Sequence, residues 1–311
     1  MTAFQKPRVA LHMSTGNNDA KAQASLPEQV SQAPLNDLPQ GEPDGLTENA
    51  WAEWLDERNR LFARFVVRRA ENVLVERYGL EDLLQAFSLL KEASQQFNVK
   101  LHTVADAVAR VDGPAPGRSD WFPGRRPDPA PSLGTLNLVD NKGGRLGPPQ
   151  GAVLSAALDR TLSIAGAAVG HVHLAETGVR RLAQSSGLDG PFTEYAKFTQ
   201  DQQTAWDWAA AENRQITVEA LSSSEMFTPR ARTMMLRSGS RACHCVPLTH
   251  DHDALAVVTV HAQDRLTSPL SQMQLTDLQE LAAETGAWLE WHRRTIVLNC
   301  LELLHHRAQA Q

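Results

Sequence analysis

Residues 69–110, RAENVLVERYGLEDLLQAFSLLKEASQQFNVKLHTVADAVAR, decide how this chain is read. Three short amphipathic helices fit into that span. Phe62, Val66, Ala70, Val73 and Leu74 form one apolar stripe, which Gly79 ends. Leu83, Ala86, Phe87 and Leu90 repeat the i, i+3, i+4, i+7 spacing, and Leu101, Val104, Ala105 and Val108 repeat it again. Asn98 stands where an N-cap would start the third helix, its side-chain oxygen accepting an orphaned backbone N–H. Three stripes need one shared core, so the span predicts a three-helix unit, of a size for recognition rather than catalysis.

Outward from there, helix is predicted to begin at Thr47 and to run through Trp51, Leu55, Phe62 and Val66 into the first of the three. A helix of that length carries more apolar stripe than a small domain can cover. Two uses are open: a coiled-coil or dimer contact along Trp51, Leu55 and Phe62, or packing back onto the second half of the chain. Residues 1–46 are rich in Gln, Asn, Pro, Ala and Ser without a sustained period and read as disordered. Residues 111–149 are broken by prolines and glycines and read as a semi-extended linker, with Trp121 and Phe122 available for a local contact.

Residues 150–306 read as an α/β domain. Gly151 to Ala165 is helical, and Ala168–Leu174 and Val179–Gln184 form a hairpin around Glu176-Thr177-Gly178. A helical span at Gln200–Glu212 precedes a strand at Gln215–Ala220 and a helical region at Pro229–Leu236. Strands Arg241–Leu248 and Ala254–His261 follow, joined by His250-Asp251-His252-Asp253, a solvated tip. Pro269 is placed at the opening of a long terminal helix.

The helical span resembles the ANTAR domain, an RNA-binding output module of bacterial transcription antiterminators. The matching residues are Ala70, Leu74-Val75, Tyr78-Gly79-Leu80, Ala86-Phe87, Leu90, Ser94, Asn98, Lys100-Leu101 and Val104-Ala105. The chain departs from that pattern at Glu71-Asn72, where the family commonly has Lys-Gly. The second half resembles a GAF domain, carried by Ala168–Leu174, Asn213–Val218, Ser240–Leu248 and the L-x-x-L-A-x-x-T-G-x-W-L-E ending of its last helix. The fold class expected is therefore α+β and multidomain. An all-α bundle with a preceding long helix occupies residues 47–110, and a GAF-like sensor or dimerisation domain with a central antiparallel sheet and an extended terminal helix occupies residues 150–306. The usual order of the two modules is reversed.

The resemblance implies an antitermination regulator that captures stem-loops of a structured leader RNA, with a small-molecule ligand on the GAF-like part and a homodimeric assembly. Single-stranded loops are the expected target because side chains cannot read the deep A-form major groove. Arg60, Arg64 and Arg68 are spaced by four on one helix face, with Arg58 and Arg69 nearby, and could track phosphates; the other reading is a solvated face offset by Asp56, Glu57 and Glu71. Lys91 and Lys100 correspond to RNA-contacting positions by resemblance, and His102 is a candidate to stack on an unpaired base. A scaffold whose helical module only dimerises is the rival reading, and a DNA-binding helix-turn-helix regulator is a third.

Net charge is −6 and hydrophobic content 42%, so binding of a polyanion must come from a local patch. The three cysteines are too few for a disulfide framework. With no membrane-length apolar run, the chain reads as cytoplasmic, with no membrane partner. No phosphate-cradling glycine loop, nucleophile elbow or H-E-x-x-H helix is present, so neither an enzyme, a cofactor nor a metal is expected. Cys243 and Cys245 face one side of their strand and His244 the other, so the three cannot share one ion. His171 and His173 likewise share a face. Together with the cysteines they are the candidate ligand-binding residues; if that face opened into a cavity, a zinc or redox site is conceivable, and otherwise these are small buried groups.

Overall fold

The computed structural model describes residues 47–138, 147–176, 179–199, 204–264 and 269–310, which lie within one unit spanning Gln32–Gln311. The disorder expected for residues 1–46, the hairpin residues Thr177 and Gly178, and the start of the Gln200–Glu212 span fall outside them.

Helix α1 runs Glu48–Tyr78. The Thr47 side chain caps it by accepting from the Ala50 N–H, and Gly79 ends it at φ +64°, a left-handed conformation that costs glycine nothing. Helices α2 (Leu83–Phe97) and α3 (Leu101–Arg110) complete the three-helix unit. Asn98 is not the N-cap expected for α3. It is the left-handed C-cap of α2 at φ +52°, a conformation Asn tolerates, and its N–H and that of Val99 satisfy the last α2 carbonyls. Lys100 begins α3 without a side-chain cap.

The second half comprises α4 (Gln150–Ala165), β1 (Val169–Glu176), β2 (Val179–Ser186), α5 (Gly190–Ala196), β3 (Phe198–Thr199), α6 (Ala205–Glu212), β4 (Ile216–Val218), α7 (Pro229–Arg237), β5 (Ala242–His250), β6 (Asp253–Ala262) and α8 (Gln272–His292). A π-helical turn at Arg293–Val297 leads into α9 (Leu298–Gln309). Pro269 does not open α8. Ser271 does, through a capping box with Gln274 that satisfies two orphan donors reciprocally. The six strands form one antiparallel sheet in the order β3-β2-β1-β6-β5-β4. Asp251 and His252 both adopt positive φ at the β5–β6 turn, where paired left-handed residues match the twist of the hairpin.

Alternation along the strands divides the sheet into two faces. Val172, Leu174, Val246, Leu248, Ala256 and Val258 pack with α4, α8 and the three-helix unit in one continuous core that also contains Ala70, Leu74, Leu90, Val104 and Leu301. The approach of α8 to the sheet is close: a Cβ on Gly286 would lie 2.1 Å from the Thr249 carbonyl oxygen. The opposite face, with Cys243, Cys245 and Val257, packs with Phe192, Trp206, Met234 and Met235.

α1 joins the two cores. Its C-terminal half supplies Val66, Ala70 and Leu74 to the first, and its N-terminal half supplies Trp51 and Leu55 to the second. Between them Phe62 packs on Phe198 and Val179 at the sheet edge. The long apolar stripe is thus covered by this chain's own second half, and the alternative of a coiled coil along Trp51, Leu55 and Phe62 does not hold. Each such side chain gains about 1.5–3 kcal/mol by burial, which decides the orientation of the helix.

Over its described residues 111–138 the linker is a strap rather than a spacer. Glu302 of α9 accepts the backbone N–H groups of Trp121 (2.8 Å) and Phe122 (3.0 Å), Trp291 donates to the Asp128 carbonyl (2.8 Å), and Glu284 accepts the Thr135 N–H (2.9 Å). On the other side of Trp121, the Arg77 guanidinium lies 4.8 Å from its ring centroid.

Arg58 and Asn59 hold α1 against α5 by polar contacts. The Arg58 Nη2 donates to the carbonyls of Phe198 (2.7 Å) and Tyr195 (3.2 Å), and the Asn59 Nδ2 to that of Glu194 (2.9 Å). Removing a charged donor from buried carbonyls leaves them unpaired, so Arg58→Ala is expected to lower unfolding stability by about 2–3 kcal/mol in urea titration. A loss under about 0.5 kcal/mol would mean these bonds do not anchor the helix.

Candidate nucleic-acid interface and sensor core

The cations singled out in the sequence separate into distinct environments. Arg60, Arg64 and Arg68 are all exposed on α1, while Arg69 is partly buried. Arg60 pairs within the helix with Asp56 and with Glu57 (3.4 Å), and Arg68 pairs with Glu71 (3.3 Å). Arg64 makes no ion pair among the described residues. The exposed Arg60 pairs contribute about 0–1 kcal/mol, so a phosphate can displace them; the Arg68–Glu71 pair has a buried carboxylate and is not of that kind. Glu71 itself is only 9% exposed, so the anion that replaces the family's cation is turned inward, and Asn72 is the exposed member of that pair of positions.

Lys91 on α2 and Lys100 at the start of α3 are exposed. Lys100 lines a cleft of about 560 Å³ between the α2–α3 connection, the start of α4 and strand β2. Arg181, Gln95 and Gln184 also line it, and no carboxylate lines it among the described residues.

His102 is not available to stack on a base. Its Nδ1 lies 2.7 Å from Glu176 Oε2, its side chain is only 13% exposed, and its ring packs 5.7 Å from that of Phe198. Burial pushes the Glu176 carboxyl up, but His102 and Arg181 outweigh it and hold it below the usual carboxylate range. The histidine faces the sheet domain because α3 docks there, which its spacing in the sequence does not signal.

His171, His173, Cys243 and Cys245 do share one sheet face, as the alternation implies, and all four are buried. They do not converge on one ion. His171 pairs with Thr259, which pairs with Cys245, so strand β6 separates the imidazoles from the thiols by two strand spacings, about 10 Å. Burial beside Cys245 raises the Cys243 thiol well above its ordinary range, the contact between the two sulfurs contributing most. His244, on the opposite face, meets Thr217 Oγ1 (2.8 Å) and the Gln215 side chain (2.9 Å).

Sequence reasoning missed His261, which completes a buried aromatic and imidazole cluster with Phe192 and Trp206. Ser240 Oγ lies 3.1 Å from His261 Nδ1, and His261 Nε2 lies 3.0 Å from His171 Nδ1. The position is legible only from register, since His261 sits beside Cys243 on the neighbouring strand. His173 Nε2 lies 2.7 Å from the Ala196 carbonyl and must donate to it, because a carbonyl can only accept. The carbonyls at the end of α5 are therefore held from two sides: Ala196 by His173 from the sheet, and Glu194 and Tyr195 by Asn59 and Arg58 from α1.

With this geometry in place, two family models match. That of the ANTAR domain covers residues 57–108, and that of the GAF domain covers residues 151–287. The chain carries an ANTAR domain followed by a GAF domain. No curated protein matches it. Solved structures similar to the GAF part include a GAF domain/HD domain protein from Geobacter sulfurreducens, 14% identical over 46% of this chain and 94% of that one (TM-score 0.41). Another is the GAF domain of a phosphoenolpyruvate-protein phosphotransferase from Coxiella burnetii, 11% identical over 51% and 88% (TM-score 0.41). A third is free methionine-R-sulfoxide reductase from Neisseria meningitidis, 17% identical over 46% and 80% (TM-score 0.38). No described helix is long and apolar enough to cross a membrane.

Burial lowers His173, His244, His261 and His292 to about 4, and His171 falls well below its ordinary value. These folded values lie under the unfolded value of about 6.5, so the unfolded chain binds more protons and stability falls as pH drops from about 6.5 toward 4. Each histidine contributes a slope of about 1.4 kcal/mol per pH unit in that window. Unfolding near pH 5 is expected to take up one proton for each of these five groups, measured as the pH dependence of urea stability. A flat profile between pH 6 and pH 5 would contradict the buried neutral cluster.

Proposed function

We propose that this protein is an RNA-binding regulator of transcription antitermination whose ANTAR domain engages stem-loop RNA under the control of its GAF domain. The observation that carries this reading is the Arg60-Arg64-Arg68 stripe on the solvent face of an α1 whose other face is buried. Guanidinium forks at that spacing suit successive phosphates, and the pairs that hold Arg60 are weak surface pairs. The cleft beside Lys100, lined by no carboxylate among the described residues, adds a second cationic place for the same strand. Glu71, which on sequence favoured a module that has lost RNA binding, is largely buried, so its carboxylate meets the stripe only at Arg68, 3.3 Å away, and leaves Arg60 and Arg64 unopposed by it.

The GAF domain would reach the ANTAR domain sideways rather than along the chain, since it follows in sequence. His173 in the sheet and Arg58 and Asn59 in α1 hold neighbouring carbonyls of α5. A ligand that displaced α5 from the histidine cluster would release part of the grip on α1 and shift how its arginines are presented. The raised Cys243 thiol and the weakly basic, buried His261 imidazole support a binding rather than catalytic role, because neither is poised as a nucleophile or base near neutral pH. A homodimer would form through surfaces other than the Trp51-Leu55-Phe62 stripe, which is covered.

Binding of a stem-loop RNA by the full chain should fall with rising salt and depend on the loop sequence. In an Arg60/Arg64/Arg68→Ala variant the log–log salt slope is expected to become shallower by about two to three, one for each phosphate that is no longer neutralised. Unchanged affinity and slope would remove the stripe from the interface, and equal binding to a loop-scrambled control would refute loop recognition.

A further inference from the structure

Where the strap crosses α9, three metal-ligating side chains converge on residues outside both the ANTAR and the GAF match. His306 Nε2 lies 3.4 Å from Asp120 Oδ1 and 3.3 Å from Glu302 Oε1. The ligand atoms of all three side chains lie within 4.8 Å of one another. In a tetrahedral zinc site with bonds of about 2.0–2.1 Å, neighbouring ligand atoms are about 3.3 Å apart. The two distances at His306 match the edges of such a site, and the third, between the two carboxylates, is at most 4.8 Å.

The three side chains are also set in place by contacts that a merely charged surface would not need. Glu302 and His306 are four residues apart on α9 and share one helix face, the spacing of a helical chelate. The Glu302 carboxylate is fixed by the Trp121 and Phe122 N–H groups, so its orientation is set by the strap itself, the outer support that metal-binding carboxylates need. Asp120 directly precedes those two residues and is carried to α9 by the same contact. One imidazole with two carboxylates suits zinc or a neighbouring first-row ion. Magnesium and calcium favour six or more oxygen ligands.

We propose that Asp120, Glu302 and His306 bind a first-row divalent cation, Zn2+ being the best match, and that the ion fastens the interdomain strap to the terminal helix. Water completes the coordination. The strap at this point also carries Trp121, which packs on Arg77 of α1 and lies 6.0 Å from His305, itself within 2.9 Å of the Tyr78 hydroxyl. An ion here therefore tightens the junction of ANTAR domain and terminal helix, independently of whether RNA is the ANTAR ligand.

The test is titration of the full chain with Zn2+ against a competing chromogenic chelator, compared with His306→Gln and Asp120→Asn. Both positions are about half exposed, so neither substitution opens the core. Wild type is expected to bind one equivalent that each variant loses or binds at least tenfold more weakly, since even outer-shell partners account for about 10–100-fold in affinity. Zn2+ should also slow tryptic cleavage after Arg118 in wild type alone. Equal stoichiometry and affinity in all three proteins would overturn the proposal, as would equal binding of Mg2+ and Zn2+ by wild type.

Discussion

The contact that fixes the middle of α1 between the two domains is that of the Arg58 guanidinium with the carbonyls it holds. Tyr195 and Phe198 lie at the end of a short helix and on an edge strand, where backbone acceptors have no partner of their own. Left without water or a donor, each would cost about 1–3 kcal/mol. A single cation from α1 answers both, and Asn59 answers the carbonyl before them. Because this contact fixes the middle of α1, the apolar residues on either side must enter the cores next to it. Trp51 and Leu55 go to one sheet face, and Val66, Ala70 and Leu74 to the other.

That placement determines how a signal can travel. With the ANTAR domain first, no described helix runs forward along the chain from the GAF domain into it, although α9, which continues α8, packs on α2. The shared object is α5, whose last carbonyls are held by the histidine cluster on one side and by α1 on the other. The exposed arginines lie on the same helix as Arg58, so under the proposed function motion of α5 would be felt at the RNA-binding face. The strap and α9 close the second junction, through Trp121, Arg77, Tyr78 and His305, and burial lifts the Tyr78 hydroxyl to about 12, keeping it a neutral partner for the imidazole. Coupling of this kind needs two discrete packings of α5, not a flexible linker.

Much of the fold was legible because local chemistry and burial agreed. Thr47 and Gly79 mark the ends of α1 by side-chain capping and left-handed freedom, and three apolar stripes predicted three packed helices. The errors have physical causes. Asn98 serves either end of a helix, and the tight turn to Lys100 chose the C-cap. Pro269 competes with a Ser271–Gln274 capping box two residues on, and the box wins because it satisfies two donors. Helix α5, only seven residues long, has too few turns to show a period. Among the site residues, the arginine stripe and the shared face of His171, His173, Cys243 and Cys245 followed from helix and strand periodicity. The inward turn of His102 and Glu71, and the entry of His261 into the cluster, depend on docking and register, which a single sequence does not encode locally.

The central claim is that the N-terminal half of α1 belongs to the GAF domain's core while its C-terminal half belongs to the ANTAR core. Amide hydrogen exchange across α1 in the full chain tests it most directly. Amides from Trp51 to Phe62 should open with the same free energy as those of β5 and β6, in one cooperative unit. Rapid exchange of Trp51–Phe62 beside a protected Val66–Tyr78 would contradict the account and leave that half of the helix free for another partner.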